Sequence, residues 1–144
     1  MHRNAEMNEE FEAAYRTADY CLWLAGNEIV LRVDNPAPDA LAVLTARLNL
    51  KDAAYIVTPC NPRSQRLEDA ENRALLAEFR GKLNFDGIRS LPSVNRDPDR
   101  EWPDEPGALL LDCGRNYARK LGEQYRQNAI VEFGMDATPK LIML

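Results

Sequence analysis

The sequence predicts an α+β domain with a mixed β-sheet and about four helices packed on it. Three observations carry that expectation: short alternating or wholly apolar runs of strand length, helical stripes lying between several of them, and turn dipeptides that join some neighbours directly as hairpins. A chain of 144 residues suits one compact domain, expected here over residues 1–144. The strands at 53–58 and 107–112 each run straight into a loop and a helix, so a three-layer α/β arrangement is the alternative.

Taken in order, Met7, Phe11, Ala14, Tyr15 and Ala18 form one apolar helical stripe over residues 7–18. Tyr20–Leu24 and Glu28–Val33 read as strands around a Gly26-Asn27 turn. In the second, Ile29, Leu31 and Val33 share one face and Glu28, Val30 and Arg32 the other. Asp34-Asn35-Pro36-Ala37-Pro38 breaks the chain, and a helix over 38–49 places Leu41, Leu44, Thr45 and Leu48 together. Strand 53–58 follows, then a helix over 67–81 with Leu75, Leu76, Phe79 and Leu83 as its stripe. Gly87–Leu91 is a weak strand. Residues 92–106 hold four prolines and seven charges and read as a long loop. A strand at 107–112, a helix at 114–125, and strands at 127–133 and 140–144 close the chain. No internal repeat or low-complexity tract interrupts it.

Composition narrows the function. Apolar residues make up 45% and charged residues 28%, near the globular average. No run approaches the roughly 18 apolar residues of a membrane span. The opening MHRNAEMNEEFEAAY lacks an apolar h-region, so a cytoplasmic location is expected. The net charge of −5 argues against phosphate-driven nucleic-acid binding through Arg63, Arg66 and Arg73. Cys21, Cys60 and Cys113 are widely spaced and His2 is the only histidine. That arrangement predicts reduced thiols, no metal site and no histidine-based triad, and no cofactor is implied.

The candidate site lies where the strand Tyr55-Ile56-Val57 runs into TPCNPRSQR. Pro59 and Pro62 stiffen that loop. Asn61 and Ser64 bond readily to nearby backbone, and Arg63 offers a forked donor for a carboxylate or phosphate. An ordinary turn and helix start is the plainer explanation, although Leu67 stands where a capping box needs Glu or Gln. Asn72 falls on the buried face of the next helix, one turn nearer the loop, and needs a partner there. Trp102 stands in the charged loop, where it anchors the loop or stacks on a ring. Asp104 and Glu105 point to opposite sides if extended, which argues against a carboxylate pair and for an exposed acidic turn; Glu105 is the better acid or base candidate if the site is a binding site. Gln127 begins the apolar row Ala129, Val131 and Phe133, so it either ties down a loop or meets a ligand.

The ordered set Val57-Thr58-Pro59-Cys60-Asn61-Pro62-Arg63-Ser64, Glu71-Asn72, Trp102 with Glu105, and Gln127-Asn128-Ala129-Ile130 resembles DUF3293, a bacterial domain family of unknown function. Pro106-Gly107-Ala108 departs from that pattern. The resemblance implies a small uncharacterised bacterial protein and supplies no reaction. The polar residues that periodicity singles out coincide with its motif positions.

Two readings follow. In the first, Asn61, Arg63, Ser64, Asn72, Trp102 and Gln127 line a site for a small anionic metabolite or nucleotide, with Glu105 as acid or base. That reading requires Asn61, Asn72 and Gln127 to converge. In the second, the 92–106 loop is a protein-interaction surface anchored on Trp102, which requires an exposed indole and no concave polar pocket.

Overall fold

The structure, a computed structural model, describes residues 11–144. Met7, at the start of the first expected stripe, lies outside the described residues. Residues 11–17 are helical (α1). There follow β1 (Asp19–Leu24), β2 (Asn27–Leu31), α2 (Pro38–Leu48), β3 (Ala54–Val57), α3 (Asp69–Phe85), β4 (Arg89–Arg96), β5 (Glu105–Leu111), α4 (Arg115–Gln124), β6 (Ala129–Phe133) and β7 (Pro139–Met143). The class is α+β, with a curled seven-stranded sheet in the order β2-β1-β4-β5-β3-β6-β7.

Every neighbouring pair is antiparallel, where a mixed sheet is expected from the sequence. The reason lies in the crossovers. α3 joins β3 to β4 and α4 joins β5 to β6, and each helix does connect strands that run the same way. Neither pair is adjacent: β5 lies between β3 and β4, and β3 lies between β5 and β6. Each gap is filled by a strand of opposite direction, so no parallel ladder forms.

Side chains alternate between two cores, as a sheet covered on both faces requires. On one face Tyr20, Leu22, Leu31, Ala54, Ile56, Leu109, Leu111, Val131 and Phe133 pack with Leu44 of α2. On the other, Tyr55, Val57, Leu110 and Ile130 pack with Phe79 and Leu83 of α3 and Ala118 and Leu121 of α4. The layering thus matches the three-layer alternative, while the pairing is antiparallel throughout.

Three boundaries differ from expectation. The first hairpin turns at Ala25-Gly26, both with positive φ (53° and 80°), and Asn27 already pairs with Leu24. A two-residue loop with two positive φ values matches the right-handed twist of the strands. β4 runs on through Pro92 to Arg96, well into the expected loop. Pro92 pairs with Ala108 of β5, while the β1 ladder stops at Ser93, so its missing N–H removes no bond toward β1. β5 then starts at Glu105 rather than Gly107. Gly107 is required there, because a Cβ would collide with the Val57 carbonyl oxygen and come within 2.9 Å of Thr58 Cα. Among the described residues no helix is long and apolar enough to cross a membrane.

Candidate functional site

Antiparallel pairing gathers distant sequence segments at one end of the sheet. That end carries the carboxyl ends of β3 and β4 and the amino ends of β1, β5 and β6. It therefore receives the loop after β3, Asn95 and Arg96, Glu105, the Gln127-Asn128 pair, and α1 leading into β1.

The loop after β3 is held by side chains rather than by regular structure. Thr58 Oγ1 donates to Pro106 O at 2.7 Å and accepts from Cys60 N at 3.1 Å. Asn61, only 2% exposed, sits at the centre. Its Oδ1 accepts from Leu67 N at 2.9 Å and from Asn72 Nδ2 at 2.8 Å. Its backbone N–H donates to Asn72 Oδ1 at 2.9 Å, and its Nδ2 donates to Glu105 Oε2 at 2.7 Å. Asn61, Arg63 and Ser64 all have positive φ (49°, 57° and 58°). Asparagine tolerates that region; arginine and serine hold it at a cost of about 1 kcal/mol or more each, which the surrounding bonds offset. The short turn Pro62–Ser64 is not the start of α3, which begins at Asp69. Helix entry is thus not why the loop is polar.

Ser64 Oγ is hydrogen-bonded to the Tyr15 hydroxyl of α1 at 2.7 Å and accepts from Asn128 Nδ2 at 2.8 Å. Burial pushes the Tyr15 hydroxyl above its ordinary pKa, against the pull of those two partners. Gln127 Nε2 donates to Cys60 O at 3.0 Å and to Tyr125 O at 3.3 Å. Gln127 is the tie that its place in the apolar row suggests. Burial also raises the Cys60 thiol pKa.

Glu105 lies at the centre of this end. Its Oε2 accepts from Asn61 Nδ2 and from Trp102 Nε1 at 3.2 Å. Its Oε1 accepts no hydrogen bond among the described residues. Burial raises the carboxyl pKa, and the bonds from Asn61 and Trp102 oppose that shift. Asp104 points the other way, toward Arg96 (3.5 Å) and Arg100 (3.6 Å), as alternation requires. Asp97 shapes the turn between β4 and β5 by accepting the backbone N–H groups of Asp99, Glu101 and Trp102.

These groups border a cavity of about 340 Å³. Of the sequence-derived candidates, Asn61, Ser64, Trp102, Glu105 and Gln127 line it. Asn72 reaches it through Asn61. Arg63 does not: its side chain is exposed and outside the lining, and its backbone N–H is tied to Arg126 O. The left-handed turn directs it away from the cavity, which corrects its expected place among the lining residues. Tyr15, Tyr20 and Asn95 line the cavity too, and the sequence reading passed over them. Tyr15 and Tyr20 were absorbed into apolar patterns, and Asn95 into a supposed loop. No cluster of three or more metal-ligating side chains occurs among the described residues.

A family model described as "Protein of unknown function (DUF3293)" matches residues 57–130, just over half of the chain. The matched span contains Asn61, Ser64, Asn72, Trp102, Glu105 and Gln127. No curated protein and no solved structure matches.

Proposed function

The chain belongs to the DUF3293 family, and we propose that it is a small-molecule-binding protein whose site is the cavity around Glu105. One observation carries the reading. Side chains from four separated segments meet in a hydrogen-bonded cluster around a half-buried carboxylate with an open oxygen. Satisfied loops need no such opening; a cavity with convergent polar groups and a shifted carboxyl is the usual setting of a binding site.

Glu105 has the attributes of a general acid or base: raised proton affinity, two donors that fix its orientation, and an oxygen facing the cavity. The anionic ligand class expected from the sequence leaned on Arg63, which is absent from the lining, so the geometry does not favour it. The interaction-module alternative keeps one observation, an indole 36% exposed. It also requires that no concave polar pocket exist beside that indole, and one does.

Thermal unfolding against a panel of amines, amides, nucleosides and small carboxylates tests the reading. A ligand of the native state raises the midpoint by mass action. The expected rise survives Arg63→Ala and disappears in Trp102→Ala. A rise lost in Arg63→Ala but kept in Trp102→Ala would move the site to the outer side of the loop.

A further inference from the structure

The hydrogen-bonding groups around the Glu105 cavity are unevenly used. The donors are largely committed: Asn61 Nδ2 and Trp102 Nε1 to Glu105, Gln127 Nε2 to backbone carbonyls, and the Tyr20 hydroxyl to Tyr15 O at 2.7 Å, with the buried Arg96 Nε as the exception. The acceptors are not. Glu105 Oε1 has no partner among the described residues, and neither has the buried Oδ1 of Asn95, which pairs across the sheet with Glu105. A buried acceptor without a donor, as Asn95 Oδ1 is, costs about 1–3 kcal/mol, which a ligand supplying an N–H group there recovers.

Charge points the same way. Among the described residues, Asp97, Asp99, Glu101 and Glu105 line the cavity against a single guanidinium, Arg96. Arg96 is engaged through its terminal nitrogens by Asp104 at 3.5 Å and Glu28 at 3.7 Å. An anion would therefore meet more negative than positive charge in this lining. The remaining wall is aromatic and apolar, with Phe11, Tyr15 and Trp102. Aromatic faces beside carboxylates suit an organic cation.

We propose that the cavity takes a small organic cation, an amine, amidine or guanidine carried on an apolar or aromatic body. Its N–H groups donate to Glu105 Oε1 and Asn95 Oδ1, and its body packs against Trp102. The proposal rests on the cavity being a binding site, and it adds the ligand's charge and donor pattern.

Three probes of one shape separate the two claims: benzamidine is cationic, benzamide neutral and benzoate anionic. Each is titrated at millimolar concentration into ¹⁵N-labelled protein. The chain has two tryptophans, so the Trp102 indole N–H is assigned by its loss in Trp102→Phe. Benzamidine is expected to shift that resonance and to bind about tenfold or more tighter than benzamide, the gain of one charge-assisted hydrogen bond. Benzoate is expected to leave it unmoved. Glu105→Gln is expected to close the gap between benzamidine and benzamide. If benzamide or benzoate shifts the Trp102 indole as strongly as benzamidine, the cation inference is overturned and the cavity stands as a site. If none of the three shifts it, both fail. The comparison among probes is made on the unmodified protein, so it holds even if Glu105→Gln folds poorly.

Discussion

Replacing Asn61 tests whether the loop after β3 is built around one side chain. Asn61→Ala removes three side-chain hydrogen bonds, leaving Leu67 N and Asn72 Nδ2 without these partners and Glu105 Oε2 with Trp102 Nε1 alone. Neutral bonds contribute about 1 kcal/mol each and a bond to a charged group about 1.5–3 kcal/mol. Glu105 and Asn72 are only half-buried, so water replaces part of this, and the expected loss from the bonds is about 3 kcal/mol. The backbone adds to it, because Asn61 has φ 49° and alanine there costs about 1–2 kcal/mol. Asn61→Gly loses the same bonds without that strain, but glycine's freer unfolded chain takes back about 0.4–1 kcal/mol. Urea unfolding should therefore place N61A about 4–5 kcal/mol below wild type and N61G about 0.5–1 kcal/mol above N61A, with m unchanged. A loss under about 1 kcal/mol in both variants would refute the account of Asn61 as the organiser of the loop.

Other perturbations follow from the same geometry. Glu105 has its folded pKa raised above the unfolded value, so the folded state holds the proton more tightly. Its effect is a loss of stability as pH rises from the ordinary carboxyl range through the raised folded value, and none beyond it. Glu105→Gln should lack that loss, so its stability relative to wild type should improve across that window; parallel pH–stability curves would contradict the shift. Gly107→Ala should cost about 1–3 kcal/mol or more in chemical unfolding, since the new methyl must displace β3 backbone that cannot yield as a side chain does. Arg63→Ala removes an exposed side chain without a bonded partner among the described residues. It should change stability by no more than about 0.5 kcal/mol and leave binding of cavity probes unaltered.

Much of the fold was legible where apolar period and length agree. Phe79 and Leu83 of α3 and the alternating Ile29, Leu31 and Val33 fall in the cores where their spacing puts them. β4 was obscured because Pro92 and the charges beyond it read as loop, although the proline lies past the end of the β1 ladder. Strand direction was not legible either. Helical crossovers suggest parallel neighbours, and only long-range insertion of β5 and β3 makes each neighbour antiparallel. For the site, polarity in apolar context found Asn61, Asn72 and Gln127, because a buried amide must have partners. Arg63, expected there for its forked donors, is exposed and outside the cavity lining, because residue type does not reveal the backbone geometry of a tight left-handed turn. Tyr15 and Tyr20 escaped notice for the opposite reason: their rings follow the apolar pattern, while their hydroxyls are hydrogen-bonded beside the cavity.

The most direct test of the central claim is a crystallographic fragment screen of the full chain. The account predicts fragments in the cavity bordered by Trp102, Asn61 and Glu105, with a fragment donor within hydrogen-bond distance of Glu105 Oε1. Fragments found repeatedly in the groove lined by Leu75 and Glu78 of α3 and by Gln124 at the end of α4, and never in the Glu105 cavity, would contradict it.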